Sequence, residues 1–262
     1  MNVTQPLHML LPDFQSFLAV ASRTGGIVAA FPMLSGRAVP PRIKVALVVM
    51  LSLVSAPAIH LPQIPHEAIA MTAGLAGELL IGLVIGMAVR LLFSALEVAG
   101  ELIGTQMGFS MAQLLDPMTS VSTPMVGQLF TVIASLVFLS LNAHMMVVAA
   151  IVSSYESIPP FGARLSPVIG EEVLRLSQHM FVVAVQLSGP ALVALALINI
   201  LLAMLGRAVT QINVFVLSFP LTIAAGLLVL GLAMPFIVSR LEREFIGLHE
   251  TIEGLLRALG HG

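Results

Sequence analysis

Residues 117–155, 176–206 and 208–239 contain no Asp, Glu, Lys or Arg. A bilayer core of about 30 Å is crossed by about 20 apolar helical residues, and backbone groups at that depth must be paired within helices. Each run is long enough to cross. The chain is therefore expected to be an all-α membrane protein of long hydrophobic helices, whose function lies in the few polar groups it retains.

Composition narrows the function classes. Charged residues make up 9% of the chain, hydrophobic ones 58%, and the net charge is −2, which argues against a nucleic-acid binder or an enzyme acting on acidic substrates. The absence of cysteine removes disulfides and thiolate metal sites. His8, His60, His66, His144, His179, His249 and His261 lack ligand spacing, and no Gly-rich loop ends in Lys-Ser or Lys-Thr. No catalytic residue, metal or cofactor is expected. Residues 1–13 lack a basic stretch before the apolar run, so a cleaved signal peptide is not expected.

Apolar segments lie at about 14–34, 43–59, 68–96, 97–115, 126–152, 176–206 and 209–238. Pro40-Pro41, Pro57 with Pro62 and Pro65, Pro117 with Pro124, and Pro159-Pro160 divide them, because proline interrupts a helix. Gly206-Arg207 is almost all that separates the last two, which predicts a tight antiparallel hairpin over 176–239. From residue 240 the pattern changes. Leu241, Phe245, Leu248, Ile252, Leu255 and Leu259 form one apolar stripe opposite Glu242, Glu244, Glu250, Glu253 and Arg257, which predicts an amphipathic helix on a surface or a partner. Arg37, Arg42 and Lys44 put the first loop in the cytoplasm by the positive-inside rule, together with Arg207; Arg240 and Arg243 then fall outside, against that rule.

Polar groups at membrane depth cost free energy unless they face protein or water. Arg90, Ser94, Glu97, Glu101 and Thr105 recur at helical spacing and form one seam. Four-residue spacing brings Glu97 and Glu101 together, as a proton or cation relay with Arg90 would require. The same seam also suits a structural contact with neighbouring subunits or the lining of a wet lumen. Glu78 stands one turn before Gly82 and Gly86. Those glycines, with Gly74, Gly77, Gly100, Gly104 and Gly108, predict close helix packing.

The seam is followed by Gln106-Met107-Gly108-Phe109-Ser110-Met111-Ala112-Gln113-Leu114-Leu115-Asp116-Pro117 and a Ser/Thr-rich stretch to Met125. It is too polar and too broken for a lipid-facing span, so it reads either as a re-entrant, occluding loop or as an ordinary turn. Met107, Met111, Met118 and Met125 would suit a deformable gasket in the first case and core filling in the second.

The run Gln106 to Ser110 with Asp116-Pro117 resembles the central motif of the FliR family, flagellar biosynthetic proteins of the type III export gate, called SctT in injectisomes. Arg23-Thr24-Gly25-Gly26 with Phe31-Pro32 and Val39-Pro40, Gly77-Glu78 with Gly82 and Gly86, Leu141-Asn142-Ala143-His144, and Gln211-Ile212-Asn213-Val214-Phe215 with Phe219-Pro220 and Gly226-Leu227 resemble further family marks, in the same order. The pattern departs at Ala143, Thr210 and Thr222, where the family commonly has Gly, Pro and Lys. The wording is closer to flagellar members.

The resemblance implies a FliP-like helical region at 1–175 and a FliQ-like helical hairpin at 176–239, ahead of the amphipathic helix read at 240–262. It implies a non-enzymatic core subunit of the flagellar export gate, in the bacterial inner membrane within the basal body. FliP, FliQ, FlhB and FlhA would be partners, with secreted flagellar proteins in transit, membrane lipids around it and no nucleic acid. It maps a plug loop onto about 106–122, with Gln106, Met107, Gly108, Phe109, Ser110, Met111, Asp116 and Pro117, and makes Glu78, Arg90, Glu97 and Glu101 interfacial or lumen-side groups. An ion-coupled permease is the alternative; it would require an internal repeat with matching broken helices, and none is evident.

Overall fold

The computed structural model describes residues 5–35, 39–56, 59, 67–109, 125–162, 168–208 and 214–260. Among these the secondary structure is helical, without a strand. The helices are α1 (Gln5–Ala30), α2 (Pro32–Ser35), α3 (Pro41–Ser55), α4 (Ala68–Gln106), α5 (Met125–Ser140), α6 (Ala143–Ser157), α7 (Val168–Ala208) and α8 (Val214–Gly260). Three spans, Ala68–Gln106, Ile169–Ala208 and Ser218–Leu259, are long and apolar enough to cross a membrane, or four if α5 and α6 count as one broken span.

The breaks follow local chemistry. Phe31 leaves the helical conformation because a residue before proline is pushed out of it. Pro40 enters α3 with φ −57° and ψ 143°, and Pro41 takes the first turn, where its missing N–H costs nothing. Residues 126–152, read as one segment, are two helices. Asn142 adopts φ 53° and stops the ladder between them; Asn tolerates this left-handed conformation better than most residues. Residues 68–115, read as two segments, contain instead one helix to Gln106, because Glu97 and Glu101 mark a change of polarity and no breaker stands there.

Gly206 and Arg207, expected as a turn, remain the end of α7, where Arg207 meets the negative end of the helix dipole. Residues 209–213, with Gln211, Ile212 and Asn213, lie outside the described residues, as do Arg37, His60, Pro62 and Pro65. Helix α8 runs through Pro220, Pro235 and residue 239 without interruption.

The chain divides into two compact units, Met1–Leu91 with Asn142–Ser177 and Ile246–Gly262, and Leu92–Leu141 with Gln178–Phe245. In the first, α1 and α4 touch backbone to backbone. A Cβ on Gly82 would overlap the carbonyl oxygen of Arg23, and one on Gly86 would lie 2.7 Å from that of Ile27. In the second, Gly100 meets Gly127 of α5 at 2.6 Å in the same sense, and Phe93, Phe138 and Phe245 form a ring cluster with centroids 5.3–5.9 Å apart. Within that unit His179 bonds Glu244 at 2.9 Å, and Arg240 donates to Gln186 at 2.7 Å. As α7 advances, its partners on α8 recede, so the two segments run antiparallel. The stripe residues Leu241, Phe245, Leu248, Ile252, Leu255 and Leu259 are all buried.

Candidate functional site

The head of the motif segment is built from the end of α4. The Met107 N–H continues the helical ladder to the Ile103 carbonyl at 3.0 Å, and the Gly108 N–H closes the turn on Thr105 at 3.1 Å. Gly108 then takes φ +89°, which glycine reaches without a Cβ clash. The chain leaves α4 at a fixed place. Met107 is fully buried, and its Sδ lies 2.8 Å from where a Cβ on Gly226 of α8 would stand. The Phe219 ring lies 3.3 Å from the corresponding point on Gly108. Met107, expected either in a deformable gasket or as core filling, is packed as a buried side chain at the start of the segment. A thioether packs into the notch that Gly226 leaves because it is unbranched and soft. Phe109 is half-buried and Gln106 is exposed, its side-chain oxygen accepting from Asn199 at 3.4 Å. Ser110, Met111, Asp116 and Pro117 lie outside the described residues, as does Met118.

The seam lies along α4, whose continuity preserves its spacing. Arg90, Glu97, Glu101 and Thr105 are exposed and Ser94 half-buried. The Thr105 hydroxyl donates to the carbonyl of Leu102 at 2.8 Å.

Glu78 is set apart from those groups. It is fully buried and receives Nε of Arg23, also fully buried, at 2.6 Å. The remaining guanidinium nitrogens donate to Oγ of Ser154 at 3.0 Å and to the carbonyl of Ile158 at 3.1 Å. The second Glu78 oxygen accepts the backbone N–H of Phe161 at 2.8 Å. The Tyr155 ring lies under the guanidinium, its centroid 3.8 Å from the central carbon, a distance at which the ring face attracts a cation. One ion pair thus ties α1, α4, α6 and the turn after α6 together. The hydroxyls of Tyr155 and of Thr24, the residue after Arg23 in the chain, are buried without a hydrogen-bond partner. Sequence reasoning noted Arg23 and Glu78 separately and missed the pair. The available signal was that two isolated opposite charges in apolar helices each need a partner.

Among the described residues no three His, Asp or Glu side chains converge as metal ligands would.

A model of bacterial export proteins, family 1, matches residues 14–248. The chain is 30% identical to the flagellar biosynthetic protein FliR of Pectobacterium carotovorum over 89% of each chain. It is 27% identical to that of Escherichia coli K12, over 90% of this chain and 91% of the other, and 29% identical to that of Bacillus subtilis 168, over 97% and 99%.

Proposed function

Because this chain belongs to the FliR family of bacterial export proteins, we propose that it is a core subunit of the gate through which flagellar proteins leave the cytoplasm. It is a multi-pass membrane component of a flagellar export apparatus. As a gate subunit it sits in the bacterial inner membrane within the basal body and assembles with FliP and FliQ, with FlhB and FlhA attached. It has no catalytic step. It forms part of the protein-conducting passage and helps close it with the segment at about 106–122.

The observation that carries this reading is the root of that segment. An occluding loop must be held firmly at one end to be positioned by the helices around it. Met107 and Gly108 provide that hold, locked against Gly226 and Phe219 of the same unit. The exposed apolar side chains add support. Phe181, Val193, Leu201 and Met204 of α7 and Leu228 and Leu232 of α8 are all more than half exposed, which suits helices covered by lipid and by other subunits.

The test is co-expression with FliP and FliQ from the same genome, extraction in mild detergent and native mass determination. One complex containing all three is the expected result. A chain that purifies alone as a monodisperse monomer or homodimer would overturn the gate reading and return attention to Glu97 and Glu101 of an ion-coupled permease.

A further inference from the structure

Helix α3 buries two serines and leaves most of its bulky apolar side chains exposed. Its two buried residues are Ser52 and Ser55, while Ile43, Val45, Met50, Leu53 and Val54 are 56%, 63%, 66%, 59% and 79% exposed. The helix packs on α1. Ser52 satisfies its own hydroxyl by donating to the Val48 carbonyl at 2.6 Å, so it presents a small, closed surface toward the protein. Val48 lies 3.9 Å from the point where a Cβ on Gly25 of α1 would stand. Close packing through small residues with bulky ones turned away is the pattern of a helix whose surroundings are hydrocarbon, since helix association in a bilayer uses small residues at the contact. A further protein helix on the outer face would be expected to find small residues there, and apart from Ala46 and the first-turn Pro41 and Arg42 the exposed residues of that face are Val, Leu, Ile and Met.

Charge specifies the rest. Between Asp13 and Glu67 the chain has no acidic residue, while it carries Arg23, Arg37, Arg42 and Lys44. Arg23 is consumed by Glu78, and Lys44 is half-buried and already engaged. Arg42 is exposed, in the first turn of α3. It stands 7 and 11 residues before Val49 and Leu53, which puts it on the same outer face as those two apolar side chains. An arginine at the end of such a face can lay its stem along acyl chains and offer its planar fork to a phosphate. With 15 residues, α3 is about 22 Å long, less than the hydrocarbon thickness, so Arg42 at one end lies near a headgroup layer if the other end is submerged.

We propose that the outer face of α3 is a lipid-contact surface, with Val49, Leu53 and Val54 among acyl chains and Arg42 on the phosphate of an anionic phospholipid. This rests on the membrane placement given above and assigns the lipid class and the helix that meets it.

The chain has no tryptophan, so an introduced indole is its one source of tryptophan emission, and the same complex with the unsubstituted chain gives the partners' background to subtract. Val49→Trp and Val54→Trp would be made separately, with Phe93→Trp in the buried ring cluster as the shielded reference. Each full-length chain, co-assembled with its export-gate partners, would be placed in bilayers of phosphatidylcholine and phosphatidylglycerol with one lipid brominated in its acyl chains. The expected result is loss of most emission at positions 49 and 54, with little loss at 93. Quenching at position 49 should favour brominated phosphatidylglycerol, and Arg42→Gln should reduce that preference about fivefold, as loss of one basic group near a charged surface implies. Emission at 49 and 54 as protected as at 93 would mean a protein partner covers the face and would overturn the proposal. Equal quenching by both lipids would overturn the anionic headgroup assignment. If the partners do not co-assemble, the gate reading fails first, and the same measurement on the chain alone in bilayers still decides the lipid face.

Discussion

At the scale of single residues, the Arg23–Glu78 pair is a fully buried ion pair among the described residues. Two fully buried charges are tolerable only when paired and hydrogen-bonded. Here every nitrogen of the guanidinium has a partner, and both carboxylate oxygens accept. Removing one partner leaves the other charge stranded. Glu78→Ala should cost about 3–5 kcal/mol, whereas Arg23→Met with Glu78→Met, which removes both charges and retains bulk, should cost less than Glu78→Ala alone. Thermal unfolding followed by circular dichroism in detergent would check this. A double variant less stable than the single one would mean that the two charges do not act as a pair. The network also fixes the turn after α6, because Glu78 holds the Phe161 N–H and Arg23 the Ile158 carbonyl. Phe161 sits there at φ 61°, a costly conformation for a bulky residue that persists only when its surroundings hold it.

At the scale of elements, the glycines separate into two kinds that the sequence alone does not distinguish. A methyl group on Gly82 would meet the backbone of α1, which no rotamer change can relieve, while one on Gly231 would meet nothing within 4 Å. Gly82→Ala should therefore force α1 and α4 apart and lose about 1–3 kcal/mol. Gly231→Ala should be neutral or gain up to about 1 kcal/mol from helix propensity. Comparing the unfolding midpoints of the two variants in detergent checks the distinction, and equal destabilisation would refute backbone contact as the role of Gly82. The same contrast explains why segment boundaries were imperfectly read. Asn142 ends a helix by its own conformation, a break without Pro or Gly to announce it. Pro190, Pro220 and Pro235 remain inside helices, because bilayer-type helices tolerate proline when freed carbonyls find other partners.

At the scale of the whole molecule, the three candidate spans are incompletely covered. The share of each most apolar window buried within the chain is 56% for Ala68–Gln106, 33% for Ile169–Ala208 and 22% for Ser218–Leu259. The last two spans, mostly uncovered by their own chain, fit a subunit that is completed by lipid and neighbours, as proposed for the export gate. For the segment proposed to close the passage, Met107 is expected to hold the root, while Phe109 and Met111 lie further along the sequence. In an assembled complex, Phe109→Ala with Met111→Ala should raise ion leakage across the bilayer without loss of partner subunits. Conductance of the purified complex in planar bilayers measures it, and an intact complex with unchanged conductance would remove those side chains from any closing role.

The sequence by itself determined the helical membrane class, because uncharged runs of that length leave the backbone no other way to satisfy its hydrogen bonds. It also carried the family resemblance, through an ordered set of motifs, and the apolar stripe from Leu241 to Leu259, which the structure buries on schedule. Tertiary structure alone decided which polar groups meet. Arg23 and Glu78 are 55 residues apart in the chain, and periodicity along one helix contains no information about a partner on another. It was also only the packing of α4 against α8 within their shared unit that showed Met107, which the sequence left open between gasket and core filling, to be buried against Gly226. The physical reason is the same in both cases. Periodicity reports which face of a helix is apolar, while the identity of the neighbour on that face is set by where the backbones can approach, and that depends on glycines far apart in the chain.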